Sequence, residues 1–105
     1  MRVFTWVSSD GIEFRFGRPH IGPHERATLA AEVFAKDQTP ETMRAARKAA
    51  FACILDAVRR VDKSATEDGL RDALDNSDII TFWGQVSATA WMGDEKQGGD
   101  APGEA

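Results

Sequence analysis

The sequence predicts a small α+β domain: an N-terminal β-hairpin followed by a bundle of about four α-helices. Three observations predict it. From Pro40 to Val61 the apolar residues Met43, Ala46, Ala50, Ile54, Ala57 and Val61 recur at spacings of three and four, the period of a helix burying one face. Before that run, Val3 to Val7 are β-branched or aromatic throughout, and Ile12, Phe14 and Phe16 alternate with Glu13, Arg15 and Gly17, which is the period of a strand with one buried face. Beyond Gly93 no apolar residue is larger than alanine and four residues are acidic, so residues 93–105 read as a disordered acidic tail that cannot offset its ordering entropy. Residues 1–92 are therefore the single domain.

In chain order, Ser9-Asp10-Gly11 supplies the hairpin turn, with Gly11 suited to positive φ. Phe4 and Trp6 are expected on one face, together with the apolar set of the second strand. A lone hairpin is barely stable in water, so that face must rest on helices. Gly17 to Pro23 holds two glycines and two prolines and reads as an exposed connector. Pro23 is expected to open a helix through about Lys36, with Ala27, Ala30, Ala31 and Phe34 on one face. Thr39 as N-cap and Pro40 at the first position start the long helix, which at 1.5 Å per residue spans roughly 33 Å. Ser64 with Glu67 has capping-box spacing, and Thr66 competes with it to start a short helix through Leu74. Ser77 is the expected cap of the last helix, whose Ile79, Phe82, Trp83, Val86 and Ala90 make the core stripe.

At 105 residues the chain can bury one modest core without metal or disulfide staples. The net charge of −4 argues against general nucleic-acid binding. Charge is unevenly spread: residues 40–63 carry six basic and three acidic side chains, residues 64–92 one basic and five acidic. Mutual electrostatic packing and solvation account for this pattern. A single cysteine, Cys53, excludes an internal disulfide, fits a reducing compartment and flanks the apolar stripe as a small buried hydrophobe. The N-terminus shows no signal peptide, and no apolar run is long enough for a bilayer. A cytoplasmic protein without membrane partners is expected.

The sequence offers no catalytic constellation. His20 and His24 are four apart, but with Gly22 and Pro23 between them they are not expected on a common turn, and no second cluster supplies further metal ligands. No serine lies in a Gly-x-Ser-x-Gly elbow and no phosphate loop is present. The pairs Glu25/Glu32 and Asp72/Asp75 read as solvated faces. No catalytic, cofactor or metal residues are therefore assigned, and the chain is expected to be non-enzymatic, without a small-molecule substrate. Arg44, Arg47 and Lys48 share a helical face, but no second basic element joins them in sequence and no helix-turn-helix is evident. Protein binding remains, because three tryptophans and six phenylalanines are more than so small a core is expected to require. A helical partner lying in an apolar groove is expected, with Trp91, Met92 and Ile21 as contacts and Met43 as a further one. Self-association into a homo-oligomer is left open.

The strand segment Asp10-Gly11-Ile12-Glu13-Phe14-Arg15-Phe16, the Pro-Gly connector Arg18 to Pro23, a helical remainder closing on Ser77 to Val86, and a polar tail together resemble the small tail assembly chaperones of long-tailed bacteriophages and prophages. The resemblance is one of layout over residues 10–92. It implies a cytoplasmic, non-enzymatic protein of the bacterial host that binds the tape measure protein during tail morphogenesis and is absent from the finished particle. It also implies a gene that can yield a longer, frameshifted product. Two other readings are compatible with the residues: a small phage or mobile-element protein inhibiting a host enzyme by acidic surface mimicry, and a DNA-binding regulator using helix 40–63. Genomic neighbours separate the first two; salt-dependent duplex binding identifies the third.

Overall fold

The computed structural model describes residues 1–92; the expected acidic tail lies outside them. Strands β1 (Phe4–Val7) and β2 (Glu13–Phe16) pair antiparallel, Phe4 opposite Phe16 and Trp6 opposite Phe14. Between them Gly11, at φ 83°, donates its N–H to Ser8 O, and Ser8 N–H donates to Ile12 O. This three-residue loop needs a left-handed residue at its last position, which glycine takes without strain. The register puts all four rings on one face, with Trp6, Phe14 and Phe16 around Phe82 and Phe4 stacked on Phe16. Trp6 stacks on Phe82 at 4.4 Å between ring centroids, and Phe16 meets it edge-on at 5.4 Å. Most of the aromatic content that suggested an interface is thus consumed inside the fold.

Four helices follow: α1 (Ile21–Lys36), α2 (Pro40–Arg59), α3 (Glu67–Ala73) and α4 (Asn76–Thr89). Thr39 caps α2 as expected, accepting from Thr42 N–H at 3.1 Å while Thr42 Oγ1 accepts from Thr39 N–H. Two helix starts differ from expectation, and a third is decided between the two caps the sequence offered. The first helix starts at Ile21 rather than Pro23, because a proline in the first turn lacks only a donor that would have had no helical partner. Of the two caps expected for α3, Thr66 takes the role and the helix starts at Glu67 as expected, while Ser64 turns back to Asp62. Asp75, not Ser77, caps α4: it accepts from Asp78 N–H at 2.9 Å, and the Asp78 carboxylate returns to Asp75 N–H at 3.2 Å.

Helix α2 is the central element and packs against α1, α4 and β2. Cys53, Ile54 and Ala57 of α2 are fully buried with Phe16, Phe82 and Val86, and Leu70 of α3 and Leu74 just past its end close one side. The link between β2 and α1 is pinned where Gly17 N–H donates to Ala57 O at 2.9 Å. A Cβ at Gly17 would lie 3.0 Å from Arg60 Cβ, so the close approach requires glycine. The hairpin loop is tied to α4 by Asp78, a buried carboxylate accepting from Ser9 N–H at 3.1 Å and Ser9 Oγ at 3.3 Å. Buried charge is tolerated when its lone pairs are filled in this way. Among the described residues no helix is long and apolar enough to cross a membrane.

Candidate functional site

The buried stripe of α2 stops at Phe51. N-terminal to it, Met43, Ala46 and Ala50 continue the same face but form the floor of an open groove of about 400 Å³. Ala27, Ala31 and Phe34 of α1 make one wall; Ile79, Ile80 and Trp83 of α4 make the other. The two walls are bridged at one end, where His24 Nε2 lies 3.1 Å from Ser87 Oγ. Alanines on α2 and α1 leave the trough, since they are too short to fill the space between the helices. The lining is apolar except for Arg47, and Ile80 is 73 % exposed. Exposed apolar surface gathered in one concavity marks an interaction site more often than scattered single residues do.

The four expected contacts fall in two places. Trp91 and Met92 follow the end of α4, Trp91 being 83 % exposed with its ring edge-on to His24 at 5.8 Å. Met92 O accepts from Arg18 Nη1 at 2.9 Å. Ile21, 76 % exposed, begins α1 one turn before His24. Met43 instead lines the groove.

The histidines do share a turn, contrary to expectation: His24 N–H donates to His20 O at 3.2 Å. Their side chains nevertheless have different partners. His20 Nδ1 lies 2.9 and 3.0 Å from the two Asp56 oxygens, and Nε2 lies 2.8 Å from Arg60 Nη1. Since a guanidinium only donates, Nε2 accepts and Nδ1 carries the proton toward Asp56. With both ring nitrogens engaged, this network fastens the start of α1 to the end of α2, and His20 N–H adds a 2.7 Å bond to Asp56. No group of three His, Cys, Asp or Glu among the described residues could hold a metal ion. Burial pushes the Cys53 thiol from 9.0 up to about 12; the nearby Asp56 charge adds to the rise, and the Trp83 indole opposes it weakly. The indole Nε1 is itself buried and, among the described residues, has no hydrogen-bond partner of standard geometry.

A second concavity, of about 560 Å³, lies on the neighbouring face of α2. Arg44, Arg47 and Lys48 line it as their helical spacing requires, and Arg71 of α3 joins them. This corrects the sequence expectation that no second basic element joins that face: Arg71 is the lone cation of an acidic segment, and only tertiary packing carries it there. Arg59 and Arg60 are used elsewhere, on Ala65 O at 2.8 Å and on His20. Sequence reasoning also missed Ile80 and Phe34 as groove residues. Ile80 lies off the core stripe of α4, and an apolar residue off the stripe was the available signal. No family model, curated protein or solved structure matches this chain.

Proposed function

We propose that this protein is a non-enzymatic helix-binding domain that receives an α-helical segment of a partner protein in the groove between α1 and α4. The observation that carries the reading is the groove itself: an apolar trough of about 400 Å³ floored by Met43, Ala46 and Ala50, with Ile80 exposed on its rim. An amphipathic helix inserts apolar side chains at spacings of three and four into such a trough, and alanines on the floor allow close approach. The layout-level resemblance to phage tail assembly chaperones supplies the specific assignment: the partner is the tape measure protein, held during tail morphogenesis in the bacterial cytoplasm. Exposed Trp91, Met92 and Ile21 extend the contact beyond the bridged end of the groove.

Co-purification with a co-expressed tape measure protein, with circular dichroism on the same samples, tests this. Ile80→Glu should stay folded, because the side chain is already largely in solvent, and should lose the partner. Trp91→Glu should also stay folded and should weaken retention. A folded Ile80→Glu variant that retains the partner at full strength overturns the groove assignment. Failure of the unaltered protein to retain it overturns the assignment of the partner.

A further inference from the structure

The basic concavity is distinct from the groove between α1 and α4, and its chemistry selects a different ligand. Its rim is cationic: Arg44, Arg47 and Lys48 from α2 and Arg71 from α3, against one acid, Glu67, which Arg71 holds at 2.6 Å. Its base is apolar, formed by Phe51, Leu55, Leu74 and Ile79. The Arg71 guanidinium lies 5.2 Å from the centroid of the Phe51 ring, which fixes it over that base. The concentration of positive charge is local, because the whole chain carries −4. Asp68 and Asp72 of α3 lie outside the lining, so Glu67, paired with Arg71, is the one α3 acid that faces the concavity.

We propose that this concavity is a second docking site, for an acidic amphipathic helical segment of a partner protein. Carboxylates of the segment pair with the α2 cations, and one or two of its apolar side chains rest on Leu55 and Ile79. Charge complementarity commits the site to an acidic occupant. The apolar base favours a peptide over nucleic acid, since Phe51, the one aromatic residue in the lining, is 8 % exposed and offers no open platform for a stacked base. Arg47 and Ile79 border both concavities, so segments bound in the two would run side by side.

Fluorescence anisotropy of a labelled synthetic peptide tests the site. The probe is about 15 residues long, enough to form helix, with leucines at spacings of three and four flanked by glutamates. A matched peptide carries lysine in place of glutamate. The full chain should bind the glutamate peptide saturably, more weakly as salt rises, and should bind the lysine peptide at least about tenfold more weakly. Arg44→Glu combined with Lys48→Glu, both exposed positions whose folding is checked by circular dichroism, should weaken binding roughly tenfold. Ile80→Glu, in the other groove, should weaken it less than the double variant does. Equal binding of both peptides, or full binding by the folded double variant, overturns the proposal. Tighter binding of a single-stranded or duplex oligonucleotide than of the glutamate peptide assigns the concavity to nucleic acid instead. Displacement of the probe by a peptide of residues 93–105 at lower concentration than the probe itself requires assigns it to the chain's own acidic segment.

Discussion

The two halves of α2 carry one apolar stripe and put it to opposite uses. In the C-terminal half, Phe51, Cys53, Ile54, Ala57 and Val58 are buried beneath β2, α3 and α4. In the N-terminal half, Met43, Ala46 and Ala50 lie on the same face but floor an open trough. The difference comes from what lies above them. The hairpin reaches α2 at Ala57, through Gly17, and three of its rings, Trp6, Phe14 and Phe16, surround Phe82 over the C-terminal half. Periodicity therefore identifies the face of a helix that is apolar, whereas a second layer, which the helix's own sequence does not encode, decides whether that face becomes core or binding surface.

Substitutions on that stripe break or sharpen the comparison. The largest effect is expected at Ile54→Ala, which should cost about 2–5 kcal/mol by loss of buried surface and creation of a cavity. Met43→Ala, on the same stripe, should cost less than about 1 kcal/mol, because its side chain is 41 % exposed. Urea unfolding of both variants measures the contrast, and equal losses would place the whole stripe in one core. Next comes a pair that adds volume. Ala57→Leu, overpacking the core, should destabilise by about 1–3 kcal/mol, and Ala50→Leu should change stability by less than roughly 0.5 kcal/mol while filling the groove and weakening partner retention.

The N-terminal half depends more on its cap than on burial, so Thr39→Ala should cost about 1 kcal/mol, read by the same unfolding curves. Smaller still is the acid response of the α4 cap. The Asp75 carboxyl is held below its ordinary value by the Asp78 N–H first, then by Ser77 Oγ and further hydrogen bonds. Its contribution is accordingly complete above pH 3.8 and lost as pH falls through the lowered value. Asp75→Asn should flatten the acid limb of the stability profile slightly, and an unchanged limb would remove Asp75 from the account. Cys53 acts in the opposite direction: its raised value means that the contribution of the protonated thiol is complete below pH 9.0 and declines toward about 12.

Local signals made much of this fold legible. Thr39 and Pro40, the turn glycine Gly11, the alternation through Phe16 and the stripe of α4 all act within a few residues of themselves, and each element they predict is present. What the sequence did not reveal depends on distant partners. The start of α1 at Ile21 is fixed by Asp56, whose side chain accepts from the backbone of His20, 36 positions away. Asp75 prevails over Ser77 as cap because the returning Asp78 carboxylate also anchors Ser9. Of the expected contacts, the exposure of Trp91 follows from its position past the last turn of α4, whereas the separation of Met43 from the other three could not be read without the helix arrangement. Arg71 entered the basic concavity for the same reason.

The central claim, that one stripe is core at Cys53 and open at Ala46, is most directly tested by thiol labelling under native conditions. The comparison is between the unaltered protein and an Ala46→Cys variant in a Cys53→Ala background. Ala46→Cys should react at close to the rate of an unfolded thiol, while Cys53 should react only as fast as the protein opens, because its thiol is buried and its thiolate strongly disfavoured. Equal, strong protection of both thiols in folded protein would mean that the N-terminal half is also core, and would contradict the account.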